Sequence, residues 1–241
     1  MRSQYSRSLM TAVPRHIHPT APLAARALLT GDPGRALALA QTLTEGPKMF
    51  NHNRGLWGYT GTAVDGEPLT IMSHGMGGPS AAIVLEELCD LGLQRAVRIG
   101  SCGALSDSLK LGDLVCASAV AGADGTSHAL VGEEPLIPDR ELTEHLNAVA
   151  DHSGAIVSAD LFYERGSERV ERWKSSGALA VEMEAAALLA VAQLRKLPLA
   201  VVLMVTDASA GAGERLEGIA LERATNRLGE AGASALVGRP N

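Results

Sequence analysis

Three arginines stand beside turns rich in glycine or serine, a pattern suited to binding an anion. Arg35 ends the turn Gly31-Asp-Pro-Gly-Arg35, which opens a helical stretch and would expose backbone N–H groups. Arg98 lies inside an apolar run just before Ser101, so either a carboxylate neutralises it or it faces a bound anion. Arg54 lies in a polar loop and, taken singly, is typical of a solvated charge. Together the three predict a site for an anion the size of phosphate.

Carboxylates occupy further positions at which they could act on a ligand. Glu182 and Glu184 begin a predicted helix of Ala, Leu and Val, where carboxylates need donors such as arginines or sugar hydroxyls, or interact with the helix dipole. Asp207 follows the apolar run 201–206, which predicts either an acid at the end of a central strand or an ordinary turn residue. Arg223 shares a helical stripe with apolar residues, so it either extends to the surface or reaches Asp207.

Short apolar runs alternate with amphipathic segments and must position these residues. Runs at 69–72, 96–99, 114–117 and 199–205 predict buried strands, and segments 80–91, 182–194 and 214–235 predict helices. Strands separated by helices predict a mostly parallel sheet covered on both faces, with ligands bound beyond the carboxyl ends of the strands. The glycine turn 74–80 also follows a strand, but its spacing is wrong for a dinucleotide site. We expect residues 1–12 to be disordered.

Composition excludes several classes of protein. The 241 residues carry a net charge of −6 with scattered Lys and Arg, which argues against a nucleic-acid partner. Cys89, Cys102 and Cys116 have no metal-binding spacing, and an odd number of cysteines in apolar contexts is typical of a reduced cytoplasm. No stretch is long and apolar enough to span a bilayer. We therefore expect a cytoplasmic protein without a membrane partner or a bound metal.

Six motifs in order resemble a known family, from about residue 14 to the C-terminus. They are Gly31-Asp-Pro, Asn53-Arg-Gly with Tyr59-Thr-Gly-Thr62, His74-Gly-Met-Gly with Pro79-Ser80, Arg98-Ile-Gly-Ser-Cys-Gly-Ala104, Ser158-Ala-Asp-Leu-Phe-Tyr163 and Val181-Glu-Met-Glu-Ala-Ala186. They closely resemble the bacterial, hexameric type of purine nucleoside phosphorylase, in a superfamily that includes uridine phosphorylase. The resemblance implies an α/β fold of one domain over residues 1–241, with three layers and a central mixed, largely parallel sheet flanked by helices. It also implies cleavage of purine nucleosides by inorganic phosphate as co-substrate, with no cofactor.

The same resemblance implies a role for each candidate residue. Phosphate would be bound by Gly31, Arg35, Arg98 and Ser101, with Arg54 donated by a neighbouring subunit. Glu184 would bind the ribose hydroxyls with Glu182 nearby, Met76 and Met183 would contact the sugar, and Phe162 and Tyr163 would flank the base. His16, or alternatively His18, would reach the 5′-hydroxyl from the neighbour. Asp207 would protonate N7 of the base with the help of Arg223 or alternatively Arg215. Shared sites imply a homo-oligomer, a hexamer built as three dimers.

Three departures from the family pattern leave the preferred base open. Thr206-Asp-Ala-Ser209 replaces the usual Ser-Asp followed by His or Asn, and the segment after Asp207 is lengthened and rich in glycine. Glu164-Arg-Gly-Ser-Glu-Arg169 resembles the loop with which uridine phosphorylases bind pyrimidines, but Ser167 stands at the expected glutamine. The alternatives are a uridine phosphorylase, a hydrolytic nucleosidase of the same fold, against which the three arginines argue, and a non-catalytic nucleoside-binding protein. The preference for ribose or deoxyribose is equally open.

Overall fold

In a computed structural model, strands and helices alternate along the described residues, which are 14–163, 167–208 and 213–237. The strands are β1 (Arg26–Thr30), β2 (Thr44–Asn51), β3 (Gly58–Ala63), β4 (Pro68–Ser73), β5 (Arg95–Ala104), β6 (Leu114–Ala123), β7 (His152–Ala159), β8 (Ala180–Glu182) and β9 (Leu199–Asp207). The helices are α1 (Pro33–Leu43), α2 (Gly78–Asp90), α3 (Gly125–Val131), α4 (Arg140–Asn147), α5 (Ser167–Ser175), α6 (Ala185–Arg195) and α7 (Gly218–Ala235), with a short 3-10 turn at Asn53–Gly55.

All nine strands join one mixed sheet in the order β2-β3-β4-β1-β5-β8-β7-β6-β9. β9 also pairs with β5, so the second half of the sheet curls back on itself. β1 runs parallel to both of its neighbours, β4 and β5, and β5 runs parallel to β9. The pairs β2–β3, β3–β4, β5–β8 and β6–β9 are antiparallel. β1, β4, β5 and β9 therefore end at the same edge of the sheet. The predicted α/β fold with a mixed sheet is confirmed.

Helices cover the sheet on both faces because the strands are apolar on both sides. One core packs residues of α2 and α6, such as Leu85 and Leu188, against Leu29 and Val201 of the sheet. A second core on the opposite face packs Leu39 of α1 and residues of α4 and α7 against the sheet. The result is the three-layer arrangement predicted from the sequence. No helix within the described residues is long and apolar enough to cross a membrane.

The element boundaries differ from the predicted ones at two functional positions. The helix predicted from residue 182 begins at Ala185, since Glu182 ends the short strand β8. The helix predicted from residue 214 begins at Gly218, and Arg215 instead pairs with Asp207 in an isolated β-bridge. The polar edge strand β2 has mostly exposed residues and therefore lacks the apolar run by which the buried strands were predicted. The expected disorder of residues 1–12 concerns a segment outside the described residues.

Candidate active site

A cavity of about 590 Å³ lies at the edge of the sheet where β1, β4, β5 and β9 end. Ten of the residues predicted from the sequence line it: Gly31, Arg35, Met76, Arg98, Ser101, Phe162, Glu182, Met183, Glu184 and Asp207. They come from six separate parts of the chain, so the fold brings together what the sequence keeps apart. Tyr163, Arg54, His16 and Arg223 do not line this cavity.

Arg98 is buried in the wall of the cavity, with 3% of its surface exposed. Its Nη2 donates to Glu184 Oε2 at 2.5 Å and to Glu182 Oε2 at 3.2 Å, and its Nη1 donates to the Ile99 carbonyl. The guanidinium folds over Gly100, where an added Cβ would lie 2.7 Å from it, so a larger residue at 100 would displace it. The sequence predicted that either a carboxylate or a bound anion would neutralise Arg98, and in this structure the carboxylates of Glu182 and Glu184 do so.

His74 fixes the other side of the Arg98 guanidinium. It is fully buried, with Nε2 3.1 Å from Arg98 Nη1 and Nδ1 2.9 Å from the Gly75 carbonyl. Nε2 must accept the arginine hydrogen and Nδ1 must donate to the carbonyl, so the ring is neutral. Burial and then the charge of Arg98 hold the pKa of His74 well below its usual value, which agrees with this geometry.

Arg35 adds a second positive charge to the same cavity. Asp32 accepts from the Arg35 N–H at 2.8 Å and caps α1, so the side chain leaves from the first turn of that helix. Burial and then the nearby charge of Arg98 lower the pKa of Arg35, and Asp32 opposes the shift. Two arginines that line one cavity create a favourable position for an anion.

The two glutamates differ in how many donors they already hold. The Glu182 carboxylate accepts from the Ser158 hydroxyl and, at 2.9 Å each, from the N–H groups of Glu184 and Ala185. It therefore fixes the turn that leads into α6. Glu184 accepts from the Gly77 N–H at 2.7 Å and from Arg98. Burial raises the pKa of Glu184, Arg98 opposes this, and the charge of Glu182 adds to it.

Asp207 ends β9 and faces the cavity. Its Oδ1 lies 2.9 Å from Nε of Arg215, and its Oδ2 accepts from the Thr206 hydroxyl at 2.9 Å. Arg223 is exposed on α7 and does not line the cavity. The choice of Arg223 over Arg215 as the partner of Asp207 is therefore corrected. Since α7 begins only at Gly218, Arg215 stays in the segment that returns to pair with the end of β9.

Comparison with known proteins places the chain in a family. The sequence model of the phosphorylase superfamily matches residues 25–238. The chain belongs to this superfamily. It is 40% identical over 178 residues to a guanosine phosphorylase of Halorubrum lacusprofundi, covering 71% of this chain and 73% of that one. It is 34% identical over 189 residues to a DeoD-type purine nucleoside phosphorylase of Clostridium perfringens, covering 75% and 80%.

A solved structure of the same superfamily shares the fold. The crystal structure of a uridine phosphorylase from Vibrio fischeri aligns with a TM-score of 0.78 at 26% identity, covering 89% of this chain and 90% of that one. The predicted membership of the nucleoside phosphorylase superfamily is thus confirmed by both sequence and structure.

Aromatic and aliphatic side chains also line the cavity. Phe162 lines it and contacts Tyr163 edge to face, with ring centroids 5.0 Å apart, while Tyr163 itself is 84% exposed and does not line the cavity. Val170 and Trp173 of α5 complete the wall. Sequence analysis missed Trp173, although Val170 and Trp173 are three residues apart in an otherwise polar helix, which is the spacing of a buried face.

His16 and Arg54 lie together outside the cavity. Asn53 Nδ2 donates to the His16 carbonyl at 2.9 Å, which joins the N-terminal segment to the 3-10 turn that carries Arg54. Arg54 has φ 59° and ψ 19°, a left-handed conformation that is rare outside glycine and is often found at functional positions. The alternative histidine, His18, turns its ring back toward the Arg15 carbonyl at 3.3 Å.

Proposed function

We propose that this protein is a purine nucleoside phosphorylase, which cleaves a purine nucleoside with inorganic phosphate into the free base and ribose or deoxyribose 1-phosphate. One observation carries the proposal: Arg35, Arg98 and Ser101, the Glu184 carboxylate and Asp207 line one cavity. The cationic groups suit phosphate, the glutamate suits sugar hydroxyls, and the aspartate suits a leaving base.

The reaction follows from the charges that develop on the substrate. As the bond between C1′ and the purine nitrogen breaks, its electron pair goes to the base and positive charge builds on the ribose. Phosphate held by Arg35 and Arg98 stabilises that charge, and one of its oxygens then bonds to C1′. Asp207 gives its proton to N7 of the departing base, and Arg215 stabilises the carboxylate that results. General acid assistance of this kind is worth about 10²–10⁴-fold.

The remaining groups bind the nucleoside in this proposal. Glu184 accepts hydrogen bonds from the ribose hydroxyls while Glu182 fixes the turn beside it. Met76 and Met183 contact the sugar, and Phe162 flanks the base together with Tyr163. Gly31 brings its backbone close to phosphate, and a larger residue there would crowd the Gly75 carbonyl, since an added Cβ would lie 3.2 Å from it. Phosphate is a co-substrate, and the reaction requires no cofactor or metal.

The names of the relatives favour a purine over a pyrimidine. The guanosine phosphorylase and the DeoD-type enzyme are more similar in sequence, at 40% and 34% identity, than the uridine phosphorylase of known structure, at 26%. The apolar wall of Phe162, Val170 and Trp173 also provides a broad surface for a fused ring system. Uridine phosphorylase activity is the second candidate because of that shared fold.

Assembly and location complete the proposal. His16 and Arg54 are held on one surface outside the cavity, which suits their donation to a neighbouring subunit. We propose a hexamer built as three dimers, with each pair of subunits exchanging these residues. A cytoplasmic location is supported by three cysteines that are free thiols, two of them buried.

Phosphate dependence tests the proposal directly. Purified protein is given guanosine, inosine, adenosine, uridine and methylthioadenosine with and without inorganic phosphate, and base and sugar products are quantified. We expect purine release that requires phosphate and yields ribose 1-phosphate. Equal rates without phosphate would indicate a nucleosidase, and turnover of uridine alone would indicate the second candidate. Nucleoside binding without any product would indicate a non-catalytic binding protein.

A further inference from the structure

The carboxylate of Glu87, in α2, accepts several hydrogen bonds from the N-terminal segment. Its two oxygens accept from three successive backbone N–H groups, those of Arg15 at 3.1 Å, His16 at 2.9 Å and Ile17 at 2.8 Å. The side chain is only 13% exposed. Burial alone would raise the pKa of Glu87, but the hydrogen bonds from the His16 ring and from these N–H groups outweigh it and lower the pKa. Glu87 is therefore an ionised group around which the N-terminal segment is folded.

The same carboxylate also holds the ring of His16. Glu87 Oε1 lies 2.7 Å from His16 Nδ1, the shortest of these contacts. An ionised carboxylate can only accept, so Nδ1 must carry the hydrogen. In the neutral ring this leaves Nε2 as the acceptor, and about one-third of the side chain is exposed. The orientation of the ring and its tautomer are thus both set by Glu87.

Asn53 extends this arrangement to Arg54. Asn53 Nδ2 donates to the His16 carbonyl, and Asn51 donates to the Leu56 carbonyl at 2.6 Å, which closes the turn that holds Arg54 in its left-handed conformation. Asn51 Oδ1 in turn accepts from the His18 N–H at 2.8 Å. His16 and Arg54 are therefore parts of one preorganised surface anchored on Glu87.

We propose that Glu87 is a positioning residue that presents His16 Nε2 to the 5′-hydroxyl of a nucleoside in the neighbouring subunit, and so determines specificity for nucleosides that carry that hydroxyl. The proposal rests on the proposed function and on the sharing of sites between subunits. With Nε2 as acceptor, the 5′-hydroxyl donates its hydrogen to His16. Arg35, Arg98 and Asp207 act in the cavity and do not touch His16, and any change in phosphate binding that reaches the site through Arg54 would affect nucleosides with and without the 5′-hydroxyl equally.

The test compares guanosine with 5′-deoxyguanosine, which lacks the group that His16 would bind. The ratio of their kcat/KM values is measured for the wild type, His16→Ala, Glu87→Gln and the double variant. Glu87→Gln keeps the shape of the side chain and an acceptor oxygen but loses the charge. We expect the ratio to fall about 2- to 10-fold in His16→Ala, as for loss of one hydrogen bond, and by most of that in Glu87→Gln. The double variant should match His16→Ala.

Glu86→Gln is the matched control, because Glu86 neighbours Glu87 on α2 but pairs with Arg195 at the surface. It should keep the wild-type ratio. An unchanged ratio in Glu87→Gln, equal losses with both nucleosides, or a wild type indifferent to the 5′-hydroxyl would overturn the proposal. If Glu87→Gln does not assemble, Glu87→Asp, which keeps the charge on a shorter chain, must give an intermediate ratio, and a wild-type ratio there would overturn it.

Failure of the proposed function gives a different result. A wild type that releases base from neither nucleoside would overturn phosphorolysis and with it the role of the 5′-hydroxyl. The positioning itself is then read from nitrogen NMR of the His16 ring. Nδ1 should be protonated in the wild type and in Glu86→Gln but not uniformly in Glu87→Gln, and identical spectra in all three would overturn the positioning role.

Discussion

Arg98 and Glu184 contact each other at 2.5 Å, although each is proposed to bind a different part of the substrates. The sequence predicted that Arg98 would find either a carboxylate or an anion, and it predicted arginines as possible partners of Glu184. It could not pair the two, because they lie 86 residues apart and meet only through the pairing of β5 with β8. The cavity residues were predictable from their motifs, whereas their partners depend on the sheet.

Asp207→Asn tests the proposed acid. We expect kcat for guanosine to fall by about 10²–10⁴-fold, because asparagine cannot supply a proton to N7. 7-Methylguanosine already carries positive charge on its base and needs no proton, so its kcat should fall much less. Both rates are measured by base release, and nucleoside affinity should stay near the wild-type value. Equal losses for the two substrates would remove Asp207 from the acid role.

The arginine pair next to Asp207 provides the matching comparison. Arg215→Ala should mimic part of the Asp207→Asn effect because Arg215 contacts Asp207, and Arg223→Ala should have a smaller effect. The reverse order would restore Arg223 as the assisting residue. The sequence could not decide between them because it did not show where α7 begins. The structure places that start at Gly218, so Arg215 precedes the helix and Arg223 lies within it.

The buried His74 predicts a dependence of stability on pH. Its pKa lies well below the usual value, so the unfolded chain takes up a proton at this residue below about pH 6.5 while the folded chain does not. The free energy of unfolding must therefore decrease as the pH is lowered below about 6.5, by up to about 1.4 kcal/mol per pH unit for this one group. His74→Gln keeps an acceptor for Arg98 but cannot titrate.

Thermal midpoints between about pH 7 and about pH 5 check this expectation. The decline should be shallower in His74→Gln than in the wild type, while the exposed His145→Gln should keep the wild-type slope. A wild-type slope in His74→Gln would mean that His74 is not held neutral in the folded protein.

At the scale of elements, apolar periodicity predicts the buried strands and the long helices, but it does not predict β8 and α5, which contribute residues to the cavity. β4, β5, β6 and β9 each contain a predicted run, because their residues are apolar on both faces. β8 has three residues and ends in Glu182, so a continuous Ala-rich segment was predicted as helix. Helix α5 was not predicted at all, since most of its residues are charged or polar.

Trp173 tests whether α5 forms the wall beside the base. Trp173 and Trp57 are the two tryptophans of the chain, so in Trp57→Phe the indole fluorescence reports on Trp173 alone. We expect guanine or guanosine to change that fluorescence and phosphate alone to have little effect. Trp173→Leu should raise KM for guanosine about 2- to 10-fold, as for loss of an aromatic contact, with KM for phosphate nearly unchanged. A fluorescence insensitive to purines would place α5 away from the base.

At the scale of the whole molecule, the cavity holds two of the three arginines that suggested phosphate. Arg54 lies outside it with His16, fixed by Asn53 and Glu87. The left-handed conformation of Arg54 costs free energy, and since Arg54 lies outside its own cavity, this conformation supports the proposed donation to a neighbouring subunit. The sequence supplied this idea only through its resemblance to a family, because nothing in the spacing of residues 14–55 shows which subunit they serve.

Mixing two inactive variants tests whether sites are shared. Arg54→Ala removes a donated residue, and Asp207→Asn removes the acid of the receiving cavity. If Arg54 acts across an interface, a mixed pair of subunits contains one site with both residues intact, formed by Asp207 of the first chain and Arg54 of the second. The other site in that pair lacks both. Random reassembly of equal amounts should therefore restore about one quarter of wild-type activity, from the fraction of sites that combine the two intact residues.

The control is a pair of variants that both damage the receiving cavity, Asp207→Asn with Glu184→Gln. Every cavity in a mixed pair of these variants carries one of the two substitutions, so no activity should return. Light scattering and exchange of differently tagged chains must show that mixed oligomers have formed. Recovery with the first pair and none with the second would establish donation of Arg54 across the interface. Without recovery in the first pair, Arg54 would have to serve the subunit that carries it. The segment held by Glu87 and Asn53 would then have to move to bring Arg54 to the cavity of its own subunit.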